Sequence, residues 1–147
     1  MEEAVVEMVG TSMTNNYPIV ILKTKESRAM LLLGIGVTEA YAIHLGMENR
    51  NIPRPLTHDL MNNILLQYDI DIVQVKITEL RDDVFYGEIE LKMNGHTKVV
   101  DSRPSDAVAL ALRKGAPIYI GNGIPERQFV YGDPREYINP LKFKEKF

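Results

Sequence analysis

From Phe85 to Met93 the chain alternates strictly. Phe85, Gly87, Ile89, Leu91 and Met93 fall on one side, and Tyr86, Glu88, Glu90 and Lys92 on the other. Successive strand side chains point to opposite faces, so this pattern is that of a half-exposed strand. Asn94-Gly95 follows at once. Both residues tolerate positive φ, which a two-residue hairpin turn demands. The returning strand is expected through Thr97, Val99 and Asp101. A chain that commits to this hairpin commits to an antiparallel sheet, and the remaining segments have to cover it.

Ile19-Val20-Ile21-Leu22 and Met30-Leu31-Leu32-Leu33 are unbroken apolar runs, suited to strands covered on both faces, with Lys25-Glu26-Ser27 as the turn between them. A strand begins near Val5 to Met8, and Val73, Val75 and Ile77 have strand periodicity. Val37 to Glu48 predicts a helix that is apolar around most of its circumference and therefore buried. Pro53 and Pro55 prevent its continuation. Thr57 suits the N-cap of a second helix, on which Leu60, Ile64 and Tyr68, with Met61 and Leu65, form an apolar stripe. Asp59, Asn62 and Asn63 lie opposite, and His58 at the border. A third helix runs from about Pro104 to Lys114, with proline in its first turn and Gly115 at its C-terminal cap. Pro117 to Ile120 reads as a last short strand.

This is one α+β domain with about three helices. Its signals occupy residues 1–121; residues 122–147 read as a C-terminal extension without firm elements. The alternation from Leu141 to Phe147 suits an edge strand, a partner contact or disorder.

Composition removes several functions. Without cysteine there are no disulfides, thiolate metal sites or cysteine nucleophiles. A net charge of -3 argues against broad non-specific binding to nucleic acid. The start, Met1-Glu2-Glu3, lacks the basic and apolar character of a signal peptide, and no apolar run is long enough to span a membrane. The expected location is cytoplasmic. Gly34-Ile35-Gly36 lacks the third glycine of a dinucleotide fingerprint, and no organic cofactor is expected.

Two helix entrances concentrate the chemistry. Asp101-Ser102-Arg103-Pro104-Ser105-Asp106 places an arginine and hydroxyls at a helix mouth, where free amides and the dipole favour anions. Arg103 and Ser105 can bind phosphate there. Asp101 and Asp106 can hold a divalent cation through carboxylate oxygens. The other reading of the same residues is a structural knot, with Arg103 paired to Asp101 or Asp106 and the serines capping. In Arg54-Pro55-Leu56-Thr57-His58-Asp59, His58 can move a proton with a partner from elsewhere, and Arg54 can join a phosphate site. Neighbours on a helix point about 100° apart, so His58 and Asp59 do not make a dyad with each other.

At these residues the chain resembles the bifunctional nuclease domain family. The resemblance rests on Pro53 to Leu60, Asp101 to Ala107, Lys114 to Ile118, and Gly34-Ile35-Gly36 followed by Glu39 and Ala40. It implies an α+β fold on a mixed or antiparallel sheet, homo-oligomers with a dimer favoured, and phosphodiester hydrolysis of DNA or RNA. On that reading His58, Asp59, Asp101 and Asp106 are the catalytic candidates. Arg54, Arg103 and Ser105 bind phosphate, and Asp101 and Asp106 hold Mg²⁺ or Mn²⁺. The alternative is a non-catalytic oligomeric module that binds a small anionic ligand or a protein partner.

Overall fold

The expected hairpin is present. In the computed structural model, which describes residues 1–48 and 52–141, β5 (Val84–Met93) pairs antiparallel with β6 (His96–Ser102). Asn94 (φ 52) and Gly95 (φ 78) turn between them, both with the positive φ that such a turn needs.

The other strands are β1 (Glu2–Ser12), β2 (Pro18–Thr24), β3 (Met30–Gly34), β4 (Asp71–Arg81), β7 (Ile118–Gly123), β8 (Phe129–Val130) and β9 (Ile138–Pro140). The helices are α1 (Val37–Glu48), α2 (Thr57–Gln67) and α3 (Pro104–Lys114). The described residues form one sheet in the order β6-β5-β4-β7-β1-β2-β3-β8, with β9 also on β1. β4 and β7 run parallel, whereas the neighbouring pairs β4–β5 and β1–β7 are antiparallel, so the sheet is mixed. A parallel pair needs a long crossover. Here it runs through β5, β6 and α3.

The apolar runs are covered on both faces. Val20 and Leu22, with Leu31 and Leu33, face a core shared with Ile43 of α1, Val75 and Ile77 of β4, and Val108 and Leu110 of α3. Their neighbours Ile19, Ile21 and Met30 face a second cluster with Ile138 and Tyr137. That second cover comes from the chain beyond Gly121, where the sequence carries no firm element. Gly10 lets it approach: a Cβ there would overlap the Asn139 carbonyl across the β1–β9 pair. Residues 142–147, on which most of the tail's alternation falls, lie outside the described residues.

α2 departs from expectation in two ways. Its N-cap is Leu56, not Thr57, and the Leu56 amide donates to Asp59 Oδ2 at 2.9 Å. Its apolar stripe is also turned outward, with Leu60 51%, Ile64 51% and Tyr68 71% exposed, while His58 is buried. His58 and Asp59 in its first turn pair with α3, and Leu65 of the stripe packs against the core.

Candidate active site

The first turns of all three helices meet. Each brings a side chain: Glu39 from α1, His58 from α2, and Asp106 from α3, with Arg103 at the α3 N-cap. Arg103 precedes a proline and is extended (φ -69, ψ 147), as the ring's clash with the preceding residue requires. Its guanidinium is thereby free to reach sideways. Nε donates to Asp106 Oδ2 at 2.9 Å, NH2 to Asp106 Oδ1 at 3.3 Å, and NH1 to Glu39 Oε1 at 3.0 Å. Thr38 donates its hydroxyl to the other Glu39 oxygen at 2.8 Å. Gly36 makes room, since a Cβ there would overlap the Glu39 carboxylate.

His58 Nε2 lies 2.9 Å from Asp106 Oδ1. Burial raises the Asp106 pKa, but hydrogen bonds from Arg103 and His58 outweigh it and hold the carboxyl below its usual range. An ionised carboxylate only accepts, so the hydrogen of this contact sits on Nε2. Glu39 is also lowered, first by the Thr38 hydroxyl, then by a backbone amide and Arg103. The Arg103 guanidinium, 64% exposed, is held charged chiefly by Asp106.

Ser105 is 6% exposed. It lines an open groove of about 570 Å³ together with Arg103, Pro104, Tyr17 and Phe85. Among the described residues, the Ser102 hydroxyl oxygen is buried without a hydrogen-bond partner.

The remaining sequence candidates lie elsewhere. Asp59 has both oxygens committed, one to the Leu56 amide and one to Arg113 Nε of α3 at 2.7 Å. Arg54 is exposed on the segment leading into α2 and makes no ion pair with a described residue. Asp101 is exposed on β6, opposite Glu88, in a hollow with Arg81 and Tyr86. Val100, its neighbour, faces the helices beside Ile64 and Leu110, so strand alternation puts Asp101 on the other face of the sheet. Asp101 and Asp106 are therefore not a pair that fits a shared Mg²⁺ or Mn²⁺. Among the described residues no three His, Asp or Glu side chains gather closely enough to hold a cation. Of the two readings of the Asp101 to Asp106 segment, the Arg103–Asp106 pair is present, and it carries His58 with it.

Glu39 was not a sequence candidate for the site. An acidic residue in the first turn of a helix is too common to single it out.

Fold and site together define an α+β domain with a His–Asp pair at the meeting of three helix N-termini. Residues 20–130 match the bifunctional nuclease domain, and the chain belongs to that family. An uncharacterised protein of Mycobacterium tuberculosis is 34% identical over 124 residues, covering 84% of this chain and 74% of the relative. Bifunctional nuclease 1 of rice, Oryza sativa subsp. indica, is 29% identical over 126 residues, 82% of this chain but 36% of the rice protein. Bifunctional nuclease 2 of Oryza sativa subsp. japonica is 25% identical over 130 residues and matched over 38% of its length. Among the described residues no helix is long and apolar enough to cross a membrane.

Proposed function

We propose that the chain is a nuclease that hydrolyses phosphodiester bonds in DNA or RNA, with His58 as general base. The observation that carries this reading is the 2.9 Å contact between His58 and Asp106, which joins two helices across 48 residues of sequence beside an exposed arginine. Asp106 accepts from Nε2, which orients the ring and leaves Nδ1 to take a proton from the attacking water. The two guanidinium hydrogens that Arg103 does not spend on Asp106 and Glu39 are donors for the non-bridging phosphate oxygens. The free α3 amides and the Ser105 hydroxyl add to them, in the manner of helix-terminus phosphate sites. Asp59 acts as a positioning residue, since it ties the first turn of α2 to Arg113.

His58→Ala is expected to lower cleavage of a single-stranded substrate by about 100-fold or more, the scale of a lost general base. The measurement needs protein purified free of host nucleases and a melting curve to show that the variant folds. Cleavage equal to that of the unaltered protein would remove His58 as the general base, whereas no cleavage by the unaltered protein would leave the chain a non-catalytic module for an anionic ligand. A requirement for Mg²⁺ or Mn²⁺ is a separate proposal, tested by cleavage in EDTA against cleavage in each cation; Asp101 is not assigned to it.

We infer that the chain self-associates, with a homodimer as the expected form. The outward apolar stripe of α2 supports this, because monomers rarely leave so much contiguous apolar surface in water.

A further inference from the structure

We propose that the groove beside Arg103 holds one unpaired nucleobase of a single-stranded nucleic acid, next to the phosphate at the mouth of α3. The inference rests on the nuclease reading for its choice of ligand, and on the groove itself for its geometry.

The groove and the phosphate donors are continuous, because Arg103, Pro104 and Ser105 line both. A base sits one sugar away from its own phosphate, so a strand held at Arg103 brings a base to the groove. The volume, about 570 Å³, falls within the ordinary range for small-ligand sites. Its lining is of the right kind, with Tyr17, Pro18, Ile35 and Phe85, the last two also packed against the core. Every base has a π face, so aromatic walls accept it without regard to sequence. Asn15 and Asp83 supply polar groups at the edge.

Tyr17 is the informative residue. It is 68% exposed, yet its backbone is fixed at both polar groups. Ser12 donates its amide to the Tyr17 carbonyl at 2.8 Å, and the Tyr17 amide donates to Asn15 Oδ1 at 3.1 Å. The large ring is thus presented to water from an anchored turn, where no described residue needs it for the core. A base stacked in a duplex cannot reach such a groove without leaving its helix. The site therefore selects single strands, overhangs or loops.

The test measures binding of the full chain carrying His58→Gln, to silence cleavage, to three labelled probes. They are a short single strand, a strand of the same length with every base removed, and a blunt duplex of the same sequence. The base-bearing single strand is expected to bind about tenfold tighter than the abasic strand, the scale of one stacked base. Tyr17→Ala is expected to abolish that difference, and Tyr17→Phe to keep it. Equal affinity for base-bearing and abasic strands overturns the proposal, as does a duplex bound as tightly as the single strand. A free nucleoside monophosphate that binds as tightly as the strand also overturns it, and assigns the groove to a small ligand. The nuclease reading fails separately, if the unaltered protein, freed of host nucleases, shows no strand cleavage. Tyr17-dependent preference for bases in a chain without such cleavage would retain the groove as a binding site alone.

Discussion

Asp106 is held by two partners of different chemistry, and this gives it a role in stability apart from any catalysis. Its carboxyl is lowered, as is that of Glu39, because both are hydrogen-bonded in the folded chain and solvated in the unfolded one. A lowered carboxyl contributes stability above its unfolded pKa of about 4, and that contribution disappears as pH falls through the folded value. The melting temperature is therefore expected to hold from neutral pH to about 5 and to drop below about 4. Asp106→Asn is expected to flatten that drop, because the variant has no proton to take up there. Melting curves across this range check it; an unchanged acid limb in the variant would remove Asp106 from the account. The sequence makes this residue visible, since Arg103 and Asp106 stand three apart at a helix mouth. It hides the partners. His58 is 48 positions from Asp106, and Glu39 is 64 from Arg103, so only the packing of three helices brings them together.

Among the elements, α3 and α2 differ in how much of them the sequence reveals. α3 begins at Pro104 and ends at Gly115, which takes the left-handed conformation (φ 73), as local rules require. Both signals are backbone chemistry and need no neighbour. The orientation of α2 depends on a neighbour. Its first turn is tied to α3, because Arg113, whose side chain is 8% exposed, pairs with Asp59. Arg113 NH1 also donates to the Ala109 carbonyl at 2.9 Å. Arg113→Met is expected to destabilise the fold by about 3 kcal/mol, the lower end for one broken buried pair, since Asp59 keeps some water. Chemical denaturation measures it, and the double variant with Asp59→Asn is expected to recover part of the loss. A loss no larger than that of an exposed arginine would show that the pair does not orient α2. The short strands β8 and β9 are hidden for a similar reason. With two and three residues, each is specified by the strand it joins and not by its own periodicity.

At the scale of the whole molecule, the outward stripe of α2 continues into an apolar hollow formed by Met61, Ile64, Leu65, Leu91 and Val100. β6 borders it as the edge of the sheet, with His96 to Asp101 all exposed. A bare edge strand beside an apolar helix face is a surface that proteins normally cover. Light scattering is expected to give a mass above that of one 16.7 kDa chain, and Ile64→Glu to return it to one chain. A single-chain mass for the unaltered protein at high micromolar concentration would end this expectation.

The place of β7 bears on how the chain comes to be folded at all. β1 to β3 form one antiparallel meander and β4 to β6 another, and β7 is the strand that pairs with both, lying between β4 and β1. Until Ile118 to Gly123 is in place, the two meanders have no backbone pairing with each other. Glu39 belongs to the segment that follows the first meander, whereas Arg103 and Asp106 follow the second. A ribosome-bound chain that stops short of β7 carries every residue of the site and still lacks the seam that brings its halves into register. Long-range joining of this kind is slow compared with local hairpins. The backbone register that unites Glu39 with Arg103 and Asp106 is thus set only after β7 has been made.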